Sequence, residues 1–300
     1  MILNLLSDKK SSTHQVFKFK TNARVFKINF DVENIARGYF PHVGLSAQEG
    51  LMVLYRNIDG KTWYNVDAYT TRYDTSVNMT HIINEGEEYE VLIYGPILSN
   101  LSKLEIALPE NTTGTIIRDD NELNILIAGG MYSYGMGCTT TSLMFSNILG
   151  RKTNANIDNI SFVENDFLKR TYEYLKRENF PKYNVGIIEL DNYSQDKSLL
   201  NEYLIKTINI MKGFCNRIIC WYSISNYTEE QKKNLEKLLE NEISSNNLEL
   251  LDISFIFNSE NKDLCTFSDK FINDTGNIMI YKEMEEIVVD MIMEEILGSF

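Results

Sequence analysis

A run of apolar residues, Leu123-Asn124-Ile125-Leu126-Ile127-Ala128, leads into Gly129-Gly130-Met131-Tyr132-Ser133-Tyr134-Gly135-Met136-Gly137-Cys138, and an apolar helical segment follows, ending near Leu149. Glycines at a strand-to-helix turn let backbone N–H groups approach a pyrophosphate. Here Gly135-Met136-Gly137-Cys138-Thr139-Thr140 lacks the third glycine of a dinucleotide loop, and no P-loop lysine is present, so a nucleotide site is not expected. The remaining chemistry of the loop is nucleophilic. Cys138 would attack a carbonyl only if its surroundings lowered its pKa, and Ser133 only with a base at hand. The favoured readings are blander: Cys138 as a small buried residue opening the helix, Ser133 as a loop or cap hydroxyl. The carboxylates Glu164, Glu189 and Asp191 could share a cleft and hold a cation, although Glu189 and Asp191 read better as a strand end at the rim of a sheet. The only histidines are His14, His42 and His81. All lie in the N-terminal half, so no Ser-His-Asp triad can be built within residues 119–300.

The elements that must position these residues fall into two textures. From about 15 to 110, short β-branched and aromatic runs dominate: Val16–Lys20, Leu51–Tyr55 and Tyr89–Tyr94. Asn57-Ile58-Asp59-Gly60 and Asn84-Glu85-Gly86 supply turns, and Asp59-Gly60 before Thr62-Trp63-Tyr64 reads as a hairpin. No convincing helical pattern appears there, so a β-sandwich is expected. From about 121, apolar strand runs (Val185–Leu190, Arg217–Trp221, Leu248–Ile253) alternate with helices. Thr228 with Gln231 makes a capping box, followed by Leu235, Leu238, Leu239 and Ile243 on one face. The last helix turns Ile280, Met284, Ile287 and Met291 inward and Glu283, Glu286, Asp290 and Glu294 outward. Strand–helix alternation implies a parallel sheet covered on both faces, with ligands at the carboxyl ends of its strands: the loops after Ala128, Leu190, Trp221 and Phe255. The predicted domains are 1–118 and 119–300.

Bulk properties narrow the function. A net charge of −13 on 300 residues repels phosphates, which argues against nucleic acid or an anionic membrane as partner. No segment approaches the roughly 18 apolar residues of a membrane span, and the start lacks the pattern of a signal peptide. Four cysteines (Cys138, Cys215, Cys220, Cys265) with no Cys-x-x-Cys pair and no nearby histidine make neither a disulfide framework nor a zinc site. A cytoplasmic protein with reduced thiols is expected, with neither metal nor cofactor. Trp63 or Tyr64, if exposed, could stack on a sugar ring.

The order and spacing of these motifs resemble the SGNH (GDSL-like) hydrolases, particularly the bacterial branch with a β-sandwich ahead of the α/β domain. Gly129–Gly135 is similar to that branch's G-T-S-I-T-Q-G and runs without a gap into Ser146-Asn147-Ile148-Leu149-Gly150-Arg151, which resembles its N-I-L-x-R. Asn159-Ile160-Ser161-Phe162-Val163-Glu164-Asn165 resembles N-L-G-F-S-G-N, and Asn273-Asp274-Thr275-Gly276 the N-D-x-G that follows D-x-x-H-P. In the first half, Glu49–Tyr55 resembles G-x-D-L-Y, while Tyr94-Gly95-Pro96 with Leu104-Glu105-Ile106 resembles L-Y-L-P and L-E-I-G.

The resemblance covers most of the chain. It implies an α/β, flavodoxin-like (SGNH hydrolase-type) sheet with helices on both faces, preceded by a jelly-roll-like β-sandwich. It also implies an ester-hydrolase cleft with its chemistry removed. The nucleophile position falls on Met131, the orienting acid on Ser268, the base on Phe271, and the oxyanion glycine on Glu164. The block-three asparagine falls near Asn192 or Gln195. The expected cleft is therefore Gly129, Gly130, Met131, Ser133, Cys138, Glu164, Asp191, Asn192 and Gln195; His42 of the first domain could reach in, although a structural role is the favoured reading for it. The implied function is a pseudoenzyme that binds a small-molecule, glycan or acyl ligand or a partner protein. The alternative is an enzyme of altered chemistry, such as a thioesterase, acyltransferase or esterase using Cys138 or the carboxylates.

Overall fold

The computed structural model describes the chain apart from residues 7–14, 34–39, 41, 71–75, 84–86, 118–122, 178, 192–196, 223–228, 246–247, 268–270 and 299–300. Its contacts divide the chain into two units, Met1–Asp120 with Cys138–Ser142, and Asn121–Gly137 with Leu143–Phe300.

In the first unit the elements run β1 (Ile2–Asn4), β2 (Val16–Thr21), β3 (Val25–Glu33), the single-turn α1 (Leu45–Glu49), β4 (Gly50–Asn57), β5 (Tyr64–Thr70), β6 (Ser76–Ile82), β7 (Tyr89–Tyr94), β8 (Asn100–Ala107) and β9 (Gly114–Ile117). They form two antiparallel sheets, ordered β1-β8-β3-β6 and β5-β4-β7-β2-β9. Alternation makes the sandwich. Phe26, Ile28 and Phe30 of β3, with Leu104 and Ile106 of β8, meet Phe17, Phe19, Leu51, Val53, Val91 and Ile93 of the other sheet in one core. Strand β7 is buried on both faces, and its other side, Leu92 and Tyr94, joins Met52 and Leu54 in a second cluster. The expected hairpin joins β4 to β5, with the Gly60 N–H closing on Asn57 O at 2.8 Å. The helix α1 has no counterpart in the sequence reading; five residues are too few to show a 3.6-residue period.

The second unit is an open parallel sheet. Its strands are β10 (Asn124–Ala128), β11 (Asn156–Asn159), β12 (Tyr183–Asp191), β13 (Cys215–Tyr222) and β14 (Leu248–Asp252). They lie in the order β11-β10-β12-β13-β14 with every pair parallel, which is the flavodoxin-like arrangement. The helices are α2 (Phe145–Thr153), α3 (Phe167–Arg177), α4 (Lys197–Met211), α5 (Glu229–Ser244), α6 (Lys262–Cys265) and α7 (Asp274–Gly298). Two-residue strands β15 (Thr266–Phe267) and β16 (Phe271–Ile272) pair between α6 and α7.

One sheet face, Leu126, Ala128, Ile188, Leu190, Ile218 and Cys220, packs against Leu168 and Leu175 of α3, Leu204 and Ile208 of α4, and Leu235 and Leu239 of α5. Glu189 and Trp221, alternate to Ile188 and Cys220 and opposite one another in register, point to the other face. There Phe145 of α2 meets Trp221 edge-on at 5.6 Å. Helix α7 buries Asn277, Ile280, Tyr281, Met284, Val288 and Met291. The inward stripe thus passes through Val288, and Ile287 is only half-buried. Leu238 of α5, expected inward, is exposed. The strand expected through Ile253 stops at Asp252, so Phe255 lies in a 3-10 turn, Ser254–Phe257. Thr228 lies outside the described residues.

Among the described residues no helix is long and apolar enough to cross a membrane.

Candidate functional site

The sheet order reverses at β10, with β11 on one side and β12 on the other, so the carboxyl end of β10 is the switch point where such sheets place a ligand. The loop leaving it is held tightly. Tyr134 N–H donates to Gly130 O (3.0 Å), Gly135 N–H to Tyr132 O (3.0 Å) and Met136 N–H to Met131 O (3.2 Å). Gly135 and Gly137 sit at φ +92° and +117°, where side chains other than hydrogen are strained. A Cβ on Gly129 would lie 2.5 Å from Ser133 Oγ and 2.8 Å from Glu189 Cβ, so only glycine lets the strand end approach both.

These constraints assemble a buried polar network. Glu189, fully buried near the end of β12, accepts the Ser133 N–H at 2.7 Å. The Asn159 side chain, at the end of β11, donates to Ser133 O at 2.8 Å. Its oxygen accepts both the N–H (3.1 Å) and the hydroxyl (2.6 Å) of Ser161. Both backbone groups of Ser133 are therefore satisfied by side chains from neighbouring strands. In a low-dielectric interior such bonds are strong and costly to break. The sequence reading put Glu189 at the sheet's rim; the loop folds back over it and makes it interior. Asn159, which in sequence is only the first residue of a motif, is a clamp. The available signal was a carboxylate inside the apolar run Ile187-Ile188-Glu189-Leu190, which has to find a donor if it is buried.

Beside the network stands an aromatic group. Trp221 is fully buried between Phe145 and Tyr132 (ring centroids 5.6 and 6.4 Å), and Tyr132 reaches Phe257 at 6.1 Å. Met131 and Met136 are buried with them in the loop.

The other expected cleft residues separate. Glu164 is exposed and paired with Arg170 (3.1 Å), which also binds Asp166 through Nε (2.9 Å). Its carboxylate is thus partly neutralised at the surface and does not join the Glu189 network. Tyr134 lies close enough to feel it: burial first, and the Glu164 charge second, raise the phenol's pKa. Phe271 is in β16, opposite Phe267. Asp191 ends β12, and only its backbone is described. Asn192, Gln195 and Ser268 lie outside the described residues. His42 belongs to the first unit, in the turn before α1, and burial lowers its pKa. Among the described residues no three His, Cys, Asp or Glu side chains converge as a metal site needs.

Cys138 is fully buried and lies seven residues ahead of α2, separated from it by the 3-10 turn Thr141–Leu143, so it does not open that helix. The helix start is instead met by Asn277 of α7, whose Oδ1 accepts the Phe145 N–H at 3.0 Å. All four cysteines are buried and none forms a disulfide. Burial pushes the Cys215 thiol up to about 12 and raises Cys220 and Cys265 as well. A disulfide reagent at neutral pH is therefore expected to find no fast-reacting thiol in the native protein and four after unfolding. Native rates should lag a free cysteine by about two orders of magnitude or more, because opening must precede reaction. One thiol reacting at the free rate would contradict the burial described.

No protein-family model matches the chain, and no curated protein matches it significantly. Solved structures do. A protein from Bacteroides ovatus described as a GDSL-like lipase superposes with a TM-score of 0.72 at 16% identity, over 93% of this chain and 84% of that one. The salicylyl-acyltransferase SsfX3 from a tetracycline biosynthetic pathway gives a TM-score of 0.59 at 13% identity, over 94% and 82%. At such identities the likeness shows the fold: an SGNH (GDSL-like) hydrolase fold with an N-terminal β domain.

Proposed function

We propose that this chain is a binding or accessory protein on an SGNH hydrolase fold that no longer carries out the ester hydrolysis of that fold. One observation carries the reading: residues 119–300 contain no histidine, so the α/β unit has no imidazole to serve as general base. Other features agree with it. Met131, at the position matching the nucleophile, is a buried thioether that cannot be deprotonated. Phe271, at the position matching the base, is apolar. Ser133 and Cys138, the nucleophilic side chains of the loop, are both wholly buried, which also weighs against a thiol-based chemistry. Two of the similar solved structures are described as a lipase and an acyltransferase. An acyl or glycan-ester ligand, or a protein partner that handles one, is the natural inheritance of this cleft. Four cysteines without a disulfide suit the cytosol.

The test is hydrolysis of p-nitrophenyl acetate and acetylated sugars by the purified protein, with Cys138→Ala and Glu164→Ala in parallel. Release at the buffer rate in all three is expected. Turnover that disappears with either substitution would replace this reading with a rebuilt active site.

A further inference from the structure

Tyr64 opens β5 and is half exposed (50%). It stands opposite Tyr55 in the β4–β5 register, and the two rings stack at 5.4 Å and 30°. Tyr55 in turn meets the fully buried Tyr89 edge-on at 6.1 Å and 76°. The three rings form a column from the sandwich core to the surface. Its outermost ring is supported on one face by Tyr55.

The adjoining loop, residues 57–63, is equally well anchored. Ile58 N–H donates to Glu88 O at 3.1 Å. Trp63 lies under the Arg56 guanidinium at 4.7 Å, and Glu90 holds that guanidinium through Nε (2.9 Å) and Nη2 (2.6 Å). The loop presents Asn57, Asp59, Lys61 and Thr62 to solvent beside the tyrosine. A rigid exposed ring offers a π-face to the C–H face of a pyranose at little entropic cost, and short polar side chains alongside can bond its hydroxyls. The surrounding charge selects among sugars. Asp59, Glu87 and Glu88 are exposed there, on a chain of net charge −13, so a sulfated or uronic-acid glycan would be repelled.

We propose that this end of the sandwich is a glycan-binding site, with Tyr64 as the stacking platform for a neutral pyranose. It is independent of the function proposed for the α/β unit, and turnover in the esterase assay would leave it standing. The experiment is isothermal titration of the whole protein with neutral hexasaccharides of glucose, mannose and N-acetylglucosamine, and with polygalacturonate as the charged comparison. At least one neutral glycan is expected to bind with a Kd of about 0.1–1 mM. Tyr64→Ala, with its fold checked by circular dichroism, should weaken it about tenfold, whereas Tyr64→Phe should retain it because the ring face is kept. Binding of none of the neutral glycans, binding of polygalacturonate alone, or unchanged affinity in Tyr64→Ala would each overturn the proposal.

Discussion

Glu189→Ala is expected to destabilise the α/β unit by about 3–5 kcal/mol, while Glu189→Gln should cost no more than about 1 kcal/mol. The alanine removes the acceptor of the Ser133 N–H, a bond of 2.7 Å inside a site that excludes water. An orphaned buried donor costs about 1–3 kcal/mol, and the volume vacated by the carboxylate and its methylene adds a cavity term of similar size. An opposing effect is the desolvation relieved when an ionisable group leaves the interior. Glutamine separates the two effects by keeping an oxygen for Ser133 while removing the ionisable group. Urea unfolding followed by Trp221 fluorescence, in a Trp63→Phe background, reports on this unit because those are the only two tryptophans. A glutamine variant as unstable as the alanine variant would mean that the carboxyl group itself, not merely an acceptor oxygen, holds the loop.

How much of this was legible in advance follows from how each element is buried. The strands β7, β12 and β13 are covered on both faces over most of their length, so their residues read as largely apolar runs, and the expected bounds fall within two residues of the observed ones. Strand β3 gives a weaker signal although Phe26, Ile28, Phe30 and Val32 alternate cleanly with Lys27, Asn29 and Asp31, because four of its nine residues are polar and one face is wet. Short elements such as α1, β15 and β16 are made by tertiary contacts and leave no period to find.

The candidate site divides along the same line. The loop and its placement at a strand's carboxyl end were readable from Ala128-Gly129-Gly130. Which carboxylate would be interior showed only in its flanks: Glu189 sits among Ile187, Ile188 and Leu190, whereas Glu164 is followed by Asn165 and Asp166. One is exposed beside Arg170, and the other is sealed in by a loop whose path depends on two positive-φ glycines.

Those glycines support the second large prediction. Gly135→Ala and Gly137→Ala both place a side chain at positive φ, and that backbone strain alone costs about 1–3 kcal/mol. They differ in what the new methyl group meets. At Gly135 it would approach the Met144 side chain at 2.8–3.0 Å from Sδ, Cε and Cγ, and a flexible thioether can swing aside. At Gly137 it would lie 2.0 Å from the carbonyl oxygen of Ile272 and 2.9 Å from its carbon, which are backbone atoms of β16. Nothing there yields without moving β16. Gly137→Ala should therefore lose more than about 4 kcal/mol, enough to leave the α/β unit unfolded or insoluble, whereas Gly135→Ala should fold with a loss of about 1–3 kcal/mol. The same fluorescence-detected urea titration measures both. Equal losses would mean that φ strain alone sets the cost, and the close approach of the loop to β16 would then be looser than described. The predicted asymmetry would instead show that Gly137 fixes the loop against β16 through backbone packing, whatever side chains the loop carries.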